Sequence, residues 1–140
     1  MQDTTPSGMK SLRREIGVLS SFLPRCHENL VDVVSVNPRT LVIVTERCWG
    51  DMRDLLACMN TMNVATDLHL GKFVRGAVSG LAYMHEHGFT HGDVKLENLL
   101  VSAKMDTCKV ADFGSAGRTG EANVGMVTLP QADPLMMCAY

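Results

Sequence analysis

The residues best suited to chemistry lie in the second half of this 140-residue chain. Residues 91–100 read HGDVKLENLL, and Asp112 follows in the triplet DFG. The stretch therefore supplies two carboxylates, Asp93 and Asp112, one amide, Asn98, and one cation, Lys95. Phosphoryl transfer needs such a set, because a carboxylate must orient the attacking hydroxyl, oxygen ligands must hold Mg²⁺, and a cation must offset charge on the transferred group.

The type and spacing of these four residues allow each of them to serve one of those needs. Asp93 and Lys95 are two residues apart, and side chains at that spacing point the same way in an extended loop. Asn98 and Asp112 carry oxygen ligands, and Mg²⁺ binds few protein ligands because it keeps several waters. We therefore predict a catalytic set of Asp93, Lys95 and Asn98, and a metal site of Asn98 and Asp112.

Two strand-like runs and a long helix must position these loops. Residues 99–102 and 108–111 are short and apolar, and a turn at 104–106 joins them into a hairpin. A helix is predicted over 66–87, where apolar residues recur at helical spacing and Gly88 provides a stop signal. Its predicted buried face consists of Leu70, Phe73, Val74, Ala77, Val78, Leu81 and Met84. A shorter helical segment is predicted around 52–59.

The first half of the chain predicts one helix and one hairpin. The helix spans 12–23 and ends at Pro24, which lacks an N–H donor. Strands at 30–36 and 40–46 flank the turn sequence Asn-Pro-Arg, which favours an antiparallel hairpin. The second strand begins with four apolar residues, a pattern typical of a strand covered on both faces. Gly50 and Asp51 then interrupt the pattern.

Composition excludes several classes of protein. Apolar residues make up 46% and charged residues 20%, so a core can form. A net charge of −2 argues against nucleic acid as a partner, and no apolar run approaches the roughly 18 residues of a membrane span. The five cysteines are scattered singly, which favours reduced thiols in the cytoplasm or the nucleus.

The stretch 91–100, followed by DFG, resembles the catalytic loop and the magnesium motif of the eukaryotic protein kinases. The resemblance implies that Asp93 is the catalytic base and that Asn98 and Asp112 bind Mg²⁺. It also implies ATP as a cofactor. Lys95 is typical of the serine/threonine members, so a protein with a serine or threonine hydroxyl is the implied substrate.

The elements before the catalytic loop resemble that family in the same order. The helix over 12–23 resembles helix αC, and Glu15 stands in the place of the glutamate that pairs with the ATP-binding lysine. The strands at 30–36 and 40–46 resemble the fourth and fifth strands of the small lobe. The helix over 66–87 resembles helix αE, and the hairpin at 99–111 resembles the seventh and eighth strands.

The resemblance also implies a nucleotide site and a stacked spine. Thr45 falls at the gatekeeper position, the segment from Glu46 to Cys48 resembles the hinge that holds adenine, and Leu100 lies beneath the base. The implied ATP-binding set is Glu15, Thr45, Glu46, Cys48, Leu100 and Asp112. The implied spine is Leu19, Val33, His91 and Phe113.

The expected fold class is α+β, a partial protein-kinase fold that lacks the first three strands and most of the large lobe. We expect a disordered N-terminus over 1–10, a partial small lobe over 11–48, and a partial large lobe over 49–140 that ends in the activation segment. The 140 residues contain no glycine-rich phosphate loop and no Val-Ala-Ile-Lys strand. We therefore expect them to be inactive alone.

Other departures from the family pattern affect regulation and stability. Gly92 replaces the arginine that reads a phosphate on the activation loop in the family. The third strand, which would pair with residues 40–46, is missing, so that run should present an open edge that a partner protein could cover.

Two alternative functions stay open from the sequence. Small-molecule kinases of the aminoglycoside or choline type also have HGD followed by four residues and an asparagine, which suits Gly92. Lys95 and the complete DFG triplet favour a protein kinase. A non-catalytic interaction module on a truncated kinase core is the second alternative, because the phosphate loop and the lysine are absent.

Overall fold

The computed structural model describes residues 10, 13–19, 27–37, 40, 42–62 and 67–120. The first helix, α1, covers residues 13–19, and Lys10 also has helical backbone. Val18 and Leu19 are its buried residues. Residues 1–9, the predicted helix end at Pro24 and the tail after 120 lie outside the described residues.

Within the described residues, two further α-helices and seven short strands follow. They are β1 (Val33–Asn37), β2 (Val42–Thr45), β3 (Gly50–Asp51), α2 (Met52–Thr61), α3 (Asp67–Glu86), β4 (Phe89–Thr90), β5 (Leu99–Val101), β6 (Cys108–Val110) and β7 (Gly117–Arg118). The described strands form three small sheets with the orders β1-β2, β3-β5-β6 and β4-β7. The fold is therefore α+β, as predicted. Among the described residues, no helix has the length and apolar character to cross a membrane.

The predicted first hairpin is confirmed with narrower bounds. Strands β1 and β2 are antiparallel, with Val36 opposite Ile43 and an irregularity between Val33 and Ser35. The prediction that the second strand is covered on both faces is wrong, because Val44 is 44% exposed. Within the described residues β2 pairs with β1 alone, so its other edge has no strand beside it.

The core forms where α3 packs against the hairpin of β5 and β6. Val101, Val110, Cys108, Met84 and Phe113 are its most completely buried large side chains. Strands β5 and β6 pair antiparallel in the predicted position. A parallel bridge between Leu30 and Val110 then attaches the segment before β1 to this core.

Two glycines set the orientation of α3. A Cβ atom at Gly80 would lie 2.5 Å from the carbonyl oxygen of Asn29, and one at Gly76 would lie 2.9 Å from Nδ2 of Asn29. The helix backbone can therefore approach the strand closely on this side. As a consequence, Val74 and Val78, predicted to lie on the buried face, are exposed by 38% and 52%.

The two-residue strands were not predicted from the sequence. Gly50 and Asp51, which interrupt the apolar pattern, form β3 and pair with β5. Asp51 also begins α2: its side chain accepts a hydrogen bond from the backbone N–H of Asp54, whose carboxylate accepts from the Asp51 N–H. At the other end of the core, β4 pairs with β7 next to Gly88, whose φ of +77° ends α3 as predicted.

Candidate active site

The loop of residues 91–98 holds the Asp93 carboxylate between two donors. Lys95 Nζ lies 2.6 Å from Asp93 Oδ2, as expected for two side chains on the same side of an extended segment. Asn98 is buried, and its Nδ2 donates to the Asp93 carbonyl oxygen at 2.8 Å and to Oδ2 at 3.2 Å. The structure therefore brings the three predicted catalytic residues together and fixes the orientation of Asp93.

His91 connects this loop with the strand that leads to DFG. Its Nδ1 accepts from the Asp93 N–H at 3.3 Å, so Nε2 carries the proton that it donates to the Ala111 carbonyl oxygen at 2.9 Å. The Ala111 N–H donates to the Asn98 carbonyl oxygen at 2.9 Å. Burial lowers the pKa of His91, so a neutral imidazole holds the two segments together.

Asp112 occupies a backbone conformation that few side chains adopt. Its φ is +62° and its ψ is 74°, in the left-handed region. A local hydrogen bond offsets part of the cost, because its Oδ1 accepts from the Gly114 N–H at 3.3 Å. The next side chain, Phe113, is completely buried, with its ring centroid 5.8 Å from that of His91. The carboxylate of Asp112 is thereby turned away from the core.

The donors at this site suit Mg²⁺. Because Nδ2 of Asn98 binds Asp93, its Oδ1 is the atom left to act as a metal ligand. Asp112 is exposed and commits only Oδ1 to the backbone, so its carboxylate can bind a cation. An amide oxygen and a carboxylate are hard oxygen ligands of the type that Mg²⁺ prefers. The donor set therefore fits the predicted metal.

Glu15 on α1 lies close enough to Asp112 for their two charges to interact. Burial raises the pKa of its carboxyl, and the negative charge of Asp112 raises it further, while a hydrogen bond with the Phe113 backbone opposes the shift. In the part of the chain that the structure describes, Glu15 makes no ion pair. Two carboxylates thus lie near one another, and no ion pair among the described residues neutralises Glu15.

The predicted hinge residues follow β2 directly. Thr45 is exposed at the end of the strand, whereas Glu46 is held by Lys109, whose Nζ lies 2.7 Å from its Oε1. Burial raises the pKa of the Cys48 thiol, the charge of Glu46 raises it further, and Lys109 opposes this rise. Leu100 is half-buried against the core on the neighbouring sheet.

Three features of the site were not predicted. Lys109 is buried on β6. Its position within an apolar strand was the sequence signal for an ion pair, because a buried charge needs a partner. Arg53 on α2 pairs with Glu97 of the catalytic loop, and sequence spacing gives no sign of this contact. Gly92 has φ +80°, and a Cβ there would lie 2.5 Å from the Ser115 carbonyl oxygen, so the backbones approach too closely for a side chain without a shift.

Comparison with known proteins agrees with this geometry. The family model described as the protein kinase domain matches residues 1–130. The chain belongs to the protein kinase family. It is similar to the NUAK family SNF1-like kinase 2 of Rattus norvegicus, with 38% identity over 74% of this chain. It is also similar to the MAP kinase-activated protein kinase mak-1 of Caenorhabditis elegans, with 32% identity over 81% of this chain.

A third relative carries its substrate class in its name. The serine/threonine-protein kinase TAO3 of Xenopus laevis is 32% identical over 69% of this chain. The aligned part covers 11% of that kinase, 16% of the rat kinase and 23% of mak-1. This chain therefore spans a small part of the length of its curated relatives.

Proposed function

We propose that this chain supplies the catalytic loop and the metal-binding segment of an ATP-dependent protein kinase that phosphorylates serine or threonine. The observation that carries the proposal is the network in which Lys95 and Asn98 both bind the Asp93 carboxylate. This network brings a carboxylate, an ammonium group and an amide together, which supports the proposal. Membership of the protein kinase family and the serine/threonine-protein kinase name of a relative support the same substrate class.

Each residue of the network has a part in the transfer. Asp93 accepts a hydrogen bond from the substrate hydroxyl and orients its oxygen for attack. Lys95 offsets negative charge on the transferred group, since its ammonium is already fixed beside Asp93. Asn98 and Asp112 would hold Mg²⁺, which would neutralise charge on the phosphates of ATP, the donor of the phosphoryl group.

The nucleotide base has a proposed site at the hinge. The backbone from Glu46 to Cys48 would bind adenine, with Thr45 as gatekeeper and Leu100 beneath the base. Glu15 would bind the lysine that holds the phosphates. Since the 140 residues carry neither that lysine motif nor a glycine-rich loop, we propose that alone they bind ATP weakly and transfer no phosphate.

Partners and location follow from the same proposal. The substrate is a protein that presents a serine or threonine, and no nucleic acid or membrane takes part. A partner protein can cover the open edge of β2. The scattered single cysteines favour the cytoplasm or the nucleus.

A phosphotransfer assay distinguishes this function from its two alternatives. The chain is joined to an upstream segment with a glycine-rich loop and a Val-Ala-x-Lys strand, and to the missing large-lobe helices. It is then offered Mg-ATP with serine, threonine and tyrosine peptides, choline and an aminoglycoside. We expect transfer to the serine and threonine peptides. Transfer to a small alcohol and to no peptide would favour a small-molecule kinase, and binding of a partner protein without any transfer would favour a non-catalytic module.

Variants in the same assay test the role of Asp93. Asp93→Ala should lower kcat by about 10²–10⁴-fold, a typical contribution of a positioned general base, while the KM for ATP stays nearly constant. Asp106→Ala is the matched control, because Asp106 lies in the turn between β5 and β6 and bonds only locally with Ser102. A similar loss of kcat in both variants would contradict the assignment of Asp93.

A further inference from the structure

A buried lysine lies on the strand that leads to the metal-binding segment. Lys109 is 8% exposed in the middle of β6, three positions before Asp112. Its Nζ lies 2.7 Å from Glu46 Oε1 and donates to the Leu30 carbonyl oxygen at 3.5 Å. An ammonium ion removed from water in this way is stable only when such partners replace its hydration shell.

The partner of this lysine, Glu46, is held at two further points. The Glu46 N–H donates to the Asp32 carbonyl oxygen at 2.8 Å. The Asp32 N–H donates to Oε1 of Glu46, also at 2.8 Å. Both the backbone and the side chain of Glu46 are therefore fixed, and the carboxylate oxygen that binds Lys109 is the same atom that binds Asp32.

The pair connects two parts of the chain that have separate tasks. Glu46 is the first residue of the hinge, where the base of the nucleotide would bind, and β6 continues directly into Asp112, where the metal would bind. A fixed distance between these two points matters because a nucleotide must occupy both at once. The described residues offer one ion pair between the hinge and β6, and it is this one.

We propose that the Glu46–Lys109 ion pair positions the hinge relative to the metal-binding segment, so that base and phosphates are bound in one geometry. Lys109 is then a positioning residue, since it acts through Glu46 and does not contact the nucleotide. The inference rests on the proposed function of the chain as an ATP-dependent kinase. It adds a residue that neither the sequence motifs nor the family comparison assigned.

Binding of adenosine to the 140-residue chain tests this role directly. Trp49 is the single tryptophan of the chain and lies next to the hinge, so its fluorescence can follow the titration. Lys109→Met and Glu46→Gln should each weaken adenosine binding about three- to tenfold, the value of one hydrogen bond. Lys109→Arg, which keeps the charge, should restore most of the affinity. Lys104→Met is the matched control, because Lys104 is exposed in the turn between β5 and β6.

Alkylation of Cys48 provides a second readout, and for Lys109→Met a loss of folding would move it in the opposite direction. Trypsin releases Cys48 in the peptide 48–53, which contains no other cysteine. Loss of the Lys109 charge should raise the pKa of this thiol, and Glu46→Gln should lower it, since these two charges act on it in opposite directions. Unfolding would instead return the pKa towards its usual value, because burial is the main cause of the rise.

The outcomes separate this inference from the proposed function. If the unmodified chain binds no adenosine, the proposed function fails and the positioning role fails with it. If the chain binds adenosine and Lys109→Met binds it equally well, the positioning role alone is overturned. Weaker binding that Lys109→Arg restores, together with a raised pKa of Cys48 in Lys109→Met, is the result we expect.

Discussion

The catalytic segment, residues 91–115, and the hairpin of β1 and β2 differ in how their groups are covered. In the catalytic segment, His91, Asn98 and Phe113 are buried, and each polar side chain described above makes at least one hydrogen bond within the chain. In the hairpin, Val34 and Val44 are exposed by 68% and 44%. Within the described residues the hairpin has two strands, and isolated two-stranded hairpins are marginally stable in water.

The same difference distinguishes the residues proposed to act on the hydroxyl and the metal from those proposed to bind the nucleotide base. The side chains proposed to orient the hydroxyl and to bind the metal are held by hydrogen bonds inside these 140 residues. The groups for the nucleotide base follow a hairpin whose outer edge is open, and Glu15 has no cation beside it among the described residues. We therefore expect substitutions in the catalytic segment to affect stability strongly and those in the hairpin to affect association.

The largest contrast is expected between two apolar truncations. Phe113→Ala removes a ring that is 0% exposed and should lower the free energy of unfolding by about 3–5 kcal/mol. Val44→Ala, on the exposed face of β2, should change it by less than about 0.5 kcal/mol. Urea denaturation of both variants measures the difference. Equal losses would show that the hairpin is as tightly integrated as the catalytic segment.

The contact of α3 with β6 gives a contrast within one helix. Gly80→Ala places a methyl group against the Asn29 carbonyl oxygen, which accepts from the Val110 N–H, and should cost about 1–3 kcal/mol. Gly71→Ala meets only the end of Arg75 at 3.5 Å and should stabilise the helix by about 0.5–1 kcal/mol. Thermal melts should move in opposite directions. Stabilisation by both substitutions would disprove the close approach at Gly80.

Association should depend on the open edge of the hairpin. The chain should sediment as oligomers whose size grows with concentration, and Val44→Lys should shift it towards monomer, because charge on an edge strand opposes pairing between chains. Met62→Lys is the control, since Met62 is 68% exposed but lies at the end of α2. A sharp, reversible, monomeric melt above about 55 °C for the unmodified chain would contradict this expectation.

Glu15 should give a small dependence of stability on pH. Its pKa is raised in the folded chain, so its contribution to stability is fully present below the ordinary value of 4.5 and is lost as pH rises through the raised value. Glu15→Gln removes this loss and should be more stable than the parent chain near pH 7, with the difference vanishing near pH 4. Melting temperatures across this interval measure the effect, and a parent chain that is more stable than the variant at pH 7 would contradict it.

The sequence predicted those elements that show a helical period or form an apolar run next to a turn. The helix α3 and the pairs β1-β2 and β5-β6 were predicted from these signals. The side-by-side arrangement of Asp93 and Lys95 was predicted from their spacing of two residues. The two-residue strands β3, β4 and β7 have no period and were missed. The exposure of Val78 followed from the small size of Gly76 and Gly80, which a count of apolar residues ignores.

Contacts between distant segments were the part of the site that spacing could not predict. The pairs Lys109–Glu46 and Arg53–Glu97 join residues whose separation along the chain carries no periodic signal. Their formation depends on the packing of β6 beside the hinge and of α2 beside the catalytic loop. Residues that lie within one loop were therefore predictable as a group, and residues joined across elements were not.

The central claim is that Asn98 and Asp112 hold the metal of Mg-ATP beside Asp93. Calorimetric titration of the 140-residue chain with ATP, with and without Mg²⁺, tests it most directly, with Asp106→Ala as the control for a lost surface carboxylate. We predict weak binding that Mg²⁺ strengthens and that Asp112→Ala weakens to the level seen without Mg²⁺, while Asp106→Ala binds like the parent chain. Micromolar binding that Asp112→Ala leaves unchanged would contradict the account.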